Sequence, residues 1–151
     1  MDLKLLAEIL ITLIVAFRIY ILQSFNIKSA ADKIFALYYL KNHYPILGYL
    51  LIFYMFEIIL IQIFLLQKVD IVLIILFTME IFFVYRHIFI SLKTDDMDDY
   101  IDIVIKRIFT TLTYSEYQQI KTELYKPQPI WKLYLTEMIV YFFSIYSIEL
   151  S

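Results

Sequence analysis

Four stretches of about 20 mainly apolar residues dominate this chain, and that is the length a helix needs to cross the hydrocarbon core of a bilayer. They run over about 3–22, 46–66, 71–92 and 129–150. None alternates apolar and polar residues with a period of two, and an open strand cannot satisfy its backbone in hydrocarbon, so each is expected to be helical. A soluble domain of 151 residues could bury a core without 62% hydrophobic residues and a mean hydropathy of +0.76. The excess apolar surface must face something other than water, most simply lipid. The expected fold class is therefore all-α: a polytopic integral membrane protein, one membrane domain with four transmembrane helices and two cytoplasmic amphipathic helical segments.

Local signals support these bounds. Pro45 and Pro129 stand where a proline suits the first turn of a helix, because its missing N–H has no partner there anyway. Only Gln67, Lys68, Val69 and Asp70 separate the second and third stretches, which forces an antiparallel hairpin. The first stretch has no Ala-x-Ala-like cleavage site and only Lys4 before it, so a removable leader is not expected.

Lysine and arginine set the expected orientation. Lys28, Lys33 and Lys41 lie between the first and second stretches, and Lys93, Lys106, Arg107, Lys121 and Lys126 between the third and fourth. The opposite side holds only Lys4 and Lys68. Both termini are thus expected on the outer, non-cytoplasmic side.

The two inner segments, about 29–42 and 96–125, read as helical. Ser29-Ala30-Ala31-Asp32 resembles a capping box with Asp in place of Glu, and Ile34, Leu37, Tyr38 and Lys41 then repeat at helical spacing, as in a helix lying at the headgroups. The second segment opens on Asp95, Asp96, Asp98 and Asp99, which complement a helix dipole. Met97, Tyr100, Ile101, Val104, Ile105, Ile108, Phe109 and Leu112 follow as one apolar face, and a shorter helix from about Ser115 to Tyr125 comes next. This pair could dock on a cytoplasmic protein, lie on the membrane or cap the bundle; a hairpin packing on itself is the simplest expectation.

Charges inside the spans carry the only candidate chemistry. Glu57 and Glu80 stand equally far on either side of the hairpin turn, about 17 Å from it at ~1.5 Å per residue, which puts both near the bilayer midplane. Glu137 falls near the middle of the fourth stretch, on a polar stripe with Tyr134, Tyr141 and Ser144. Glu8 and Thr12 share a face nearer the outside, and Arg18, Arg86, His87 and Lys132 stand toward the basic side. Glu57, Glu80 and Glu137 are therefore the candidate ion-pair or proton/cation site, with Arg18, Arg86 and His87 as partners or relay. Structural pairing is the preferred reading, since nothing in the sequence fixes the helix rotations that would bring the acids together.

Other chemistry lacks residues. With no cysteine there is no thiolate nucleophile, thiolate metal site or disulfide, and one glycine (Gly48) cannot form a phosphate-cradling loop. A net charge of −2 does not suit a nucleic-acid binder. His43 and His87 differ in expected depth by about 10 Å, so no haem or zinc site is expected between them. The 14 Tyr and 13 Phe read as interfacial belts and packing. No catalytic residue, metal or cofactor is expected. The expected function is a non-catalytic subunit or assembly factor of a larger membrane complex, with lipid, other membrane subunits or a second copy as partners and a cytoplasmic protein as a further one at 96–125. The alternative is a homo-oligomeric proton or cation channel, small coupled transporter or membrane-permeabilising effector using the midplane carboxylates.

Overall fold

A computed structural model describes residues 2–87 and 94–150, with side chains up to 84 and from 94 onward. The described residues are helical and contain no strand. Helix α1 (Leu3–Ser24) is capped by Asp2, whose carboxylate accepts from the Lys4 N–H at 3.0 Å. Its 22 residues reach about 33 Å at ~1.5 Å each, so it is long and apolar enough to cross a membrane. Ala7, Ile11, Val15, Arg18 and Leu22 form its single buried stripe, at helical spacing.

Helix α2 (Ala30–His43) starts at the capping box read from the sequence: Asp32 N–H donates to Ser29 Oγ, and Ser29 N–H donates to the Asp32 carboxylate, both at 3.2 Å. It differs from the expected one-faced surface helix. Ala31 and Tyr38 are buried on one side, while Ala36 and Leu40 are buried on another. The small alanines let neighbours approach from both directions, so α2 is a middle layer.

The second apolar stretch is not one straight helix. It forms α3 (Pro45–Ile52) and α4 (Tyr54–Ile61, continuing through a π-turn at Gln62–Leu66), bent by 66° at Phe53. Neither proline nor glycine stands at the bend. Two contacts hold it instead: Gly48 lies against the α2 backbone, and Arg18 binds the Leu51 carbonyl. The expected hairpin follows, with Gln67 in the left-handed region at φ 54° and the Gln62 side chain accepting from the Asp70 N–H at 3.2 Å. Helix α5 (Ile71–His87) returns beside α4, where Phe56 stacks on Phe77 at 5.6 Å.

Helices α6 (Met97–Ile108) and α7 (Tyr114–Tyr125) form the segment between the third and fourth apolar stretches. Tyr100, Ile101, Val104 and Ile105 are buried as the apolar pattern requires, but the helix stops at Ile108 and Phe109 is exposed. The pair does not merely pack on itself. Tyr100 stacks on Tyr38 of α2 at 4.0 Å, with both rings buried. Last come the short α8 (Ile130–Leu133), a break at Tyr134, and α9 (Leu135–Leu150). Helices α1, α4, α5 and α9 share one core, and α2, α6 and α7 share a second, joined by Leu22, Ile27, Ala36, Leu133 and Tyr134.

The α6–α7 hairpin carries a titratable latch. Tyr117 donates to Asp102, Tyr125 donates to Asp98, and Lys121 Nζ lies 3.1 Å from Asp102. Burial pushes the Asp102 carboxyl up, but the bonds from Tyr117 and Lys121 and the lysine charge outweigh it and hold the group below its ordinary value. Burial, then the bond to Asp102, pushes Tyr117 up to about 12. The carboxylate's contribution is full above the ordinary aspartate value and is lost as pH falls through the depressed one. The tyrosine's contribution is full below about 10. It disappears as pH rises through about 12. Hydrogen-exchange protection of α7 should therefore drop at both extremes, and Tyr117→Phe should shrink both limbs, because the bond that raises the tyrosine is also the one that lowers Asp102, while Tyr125 on Asp98 keeps part of the alkaline limb. Protection that stays flat through both ranges would rule the latch out.

Candidate functional site

A buried guanidinium begins the site. Arg18 occupies the inward stripe of α1 and is 5% exposed, so it must find charge and acceptors inside the protein. Its Nε lies 3.0 Å from Glu137 Oε1, its Nη1 donates to the Leu51 carbonyl, and its guanidinium stands 4.3 Å from the centre of the Tyr54 ring. Glu137 is fully buried in the first turn of α9, where the positive end of the helix dipole suits a carboxylate.

The same Glu137 oxygen binds a second cation: Lys33 Nζ lies 2.6 Å away and also donates to the Leu133 carbonyl at 2.6 Å, with the Tyr134 ring 5.0 Å off. Burial holds the Lys33 ammonium below its ordinary value; Glu137 opposes that, and neighbouring Arg18 reinforces it. Both helix breaks now have a chemical role. The breaks at Phe53 and Tyr134 leave the carbonyls of Leu51 and Leu133 to the two cations, and each cation takes one. Gln23 Nε2 donates to the Tyr134 hydroxyl at 2.8 Å and steadies the second break.

The three candidate acids separate. Glu80 of α5 lies within electrostatic reach of Arg18, Glu137 and Lys33, so Glu80 and Glu137 belong to one cluster. Glu57 lies within reach of Arg18 alone and remains half-buried at the edge. Three buried polar atoms around the cluster have no hydrogen-bond partner: Tyr54 Oη, Glu80 Oε2 and Glu137 Oε2. The backbones of Arg86 and His87 continue α5, but their side chains lie outside the described residues. Farther along the bundle Thr12 Oγ1 meets the Tyr141 hydroxyl at 3.1 Å and Glu8 faces Glu149, which fixes α1 and α9 as antiparallel, with the start of α1 beside the end of α9. Ser144 returns its hydroxyl to the Val140 carbonyl at 2.7 Å. At the edge of the second core, His43 Nε2 lies 3.0 Å from Asp95.

Sequence reasoning missed Lys33, which entered only as an orientation charge. Its spacing carried a signal. Lys33, Ala36 and Leu40 fall at i, i+3 and i+7, so the lysine shares a face with two buried apolar residues. Chemically the cluster is a lock: two cations on one carboxylate oxygen tie α1, α2 and α9 together. Among the described residues no three His, Asp or Glu side chains gather as metal ligands would. Compared with protein-family models, curated proteins and solved structures, the chain shows no match.

Proposed function

We propose that this chain is a four-span membrane protein that serves as a non-catalytic subunit or assembly factor of a larger membrane complex. The spans are α1, the bent α3–α4 pair, α5 and α8–α9, with both termini outside and α2, α6 and α7 on the cytoplasmic side. The lysine and arginine bias supports that orientation, and the antiparallel pairing of α1 with α9 keeps the termini on one side.

One observation carries the reading. Glu57 lies about 15 Å along its helix from the turn at Gln67, roughly half the hydrocarbon thickness, and its carboxylate makes no hydrogen bond or ion pair among the described residues. An acid at that depth against lipid costs roughly 2.5–3.5 kcal/mol, which a donor from another protein removes. Glu137 is a different case, since it is closed off by two cations of the same chain and is unsuited to carry mobile charge.

Gentle extraction through a C-terminal tag, followed by native mass, tests this. Foreign subunits are expected in the particle, and a solitary, monodisperse, stable species would defeat the proposal. A clean homo-oligomer would turn the reading toward proton or cation conduction, which the unpartnered buried atoms of Tyr54 and Glu80 favour. Liposome flux would then have to be lost on Glu80→Gln.

A further inference from the structure

The outward face of α4 is defined by what the helix buries. Tyr54, Met55, Ile58, Ile59 and Gln62 are all covered, and at 100° per residue they form one stripe. The side opposite that stripe holds Glu57, Leu60 and Phe64. Phe64 is 76% exposed, whereas Phe56, a step around the helix, already stacks on α5. Glu57 is therefore the single charged group in the middle of a bulky apolar face.

We propose that this face, with Glu57 at its centre, is the docking surface for a transmembrane helix of a different protein that carries a lysine or arginine at the same depth. The inference rests on the subunit reading above and supplies its partner chemistry. Charge complementarity requires the cation, because the one described cation within electrostatic reach is taken: Arg18 binds Glu137 and the Leu51 carbonyl. Among the described side chains a second copy offers none at that depth. An isologous contact on this face would set Glu57 against Glu57, two like charges. In other arrangements the described side chains of the spans offer exposed cations only near span ends, Lys4 on α1 and Lys132 on α8, away from the depth of Glu57. Leu60 and Phe64 are bulky, so close approach must come from small residues on the partner helix beside its cation.

The test uses the full chain, tagged and extracted gently from membranes that contain its partners, as wild type, Glu57→Leu and Glu57→Lys. The partner recovered per copy should fall about tenfold or more in both variants, with the lysine variant the worse. The captured protein must contain a transmembrane helix with Lys or Arg, and changing that residue to Glu should restore recovery with Glu57→Lys. Because Glu57 has no partner within the described chain, Glu57→Leu should not lower the thermal midpoint of the isolated protein. A foreign subunit retained at wild-type level by both variants overturns the docking surface and leaves the subunit reading intact. No foreign subunit on the wild type overturns both. A homo-oligomer that Glu57→Lys disperses shows the second copy to be the occupant and also overturns the proposal. Unfolding of isolated Glu57→Leu overturns it too, because the carboxylate would then be holding this chain together.

Discussion

Glu137→Leu should cost about 3–5 kcal/mol of stability, enough to leave the protein largely unfolded or aggregated in mild detergent. The reason lies in what remains after the substitution. Arg18 and Lys33 both contact one oxygen of Glu137, and both are held inside, with side chains 6% and 16% exposed. Removing the carboxylate leaves two cations in a low-dielectric interior, facing each other across a gap that an apolar side chain cannot neutralise. Glu80 is the one other acid within reach of both, and it sits on α5 without a direct ion pair to either. Replacing Arg18, Lys33 and Glu137 together by Met, Met and Leu should recover most of the loss, because burying a well-packed apolar set is often as favourable as burying a salt bridge. Denaturant or thermal unfolding followed by helicity would measure the wild type and both variants. A Glu137→Leu loss below about 0.5 kcal/mol would show that the cluster does not hold the bundle.

Local order was legible where it depends on near neighbours in the chain. Ser29 and Asp32 form the capping box their spacing suggested, and the four residues from Gln67 to Asp70 make the expected hairpin. The face from Tyr100 to Ile105 is buried as its periodicity required. The breaks at Phe53 and Tyr134 had no such signature, because neither residue breaks a helix by itself. Those breaks satisfy distant groups: Arg18 requires the Leu51 carbonyl and Lys33 requires that of Leu133. In the same way Glu80 and Glu137 come together while Glu57 turns away. Depth along a helix follows from counting residues, but rotation about its axis follows from packing, and the two buried alanines of α2, Ala31 and Ala36, decide much of that packing.

The lone glycine gives the sharpest test of this long-range control. In an ordinary helix interior Gly→Ala stabilises by about 0.5–1 kcal/mol, since glycine loses the most freedom on folding. Gly48 is in the interior of α3, and no glycine here has a positive φ, so backbone conformation gives no reason to keep it. Contact does. A Cβ at position 48 would lie 2.4 Å from Lys41 Cα, 2.5 Å from Lys41 N and 2.8 Å from the Leu40 carbonyl carbon. These are backbone atoms of α2, so no rotamer change relieves the clash; a helix must move. Yet α2 is gripped on both sides, by the stacked Tyr38 and Tyr100 and by Lys33 in the ion cluster. Gly48→Ala should therefore reverse the usual sign and destabilise by about 3 kcal/mol, at the upper end of overpacking costs. Lys33→Met loosens one of the two grips, so the double variant should lose less than the sum of its parts. Strict additivity, or a stabilised Gly48→Ala, would mean that α2 and α3 do not meet as closely as the structure has them, and that the bend at Phe53 has another cause.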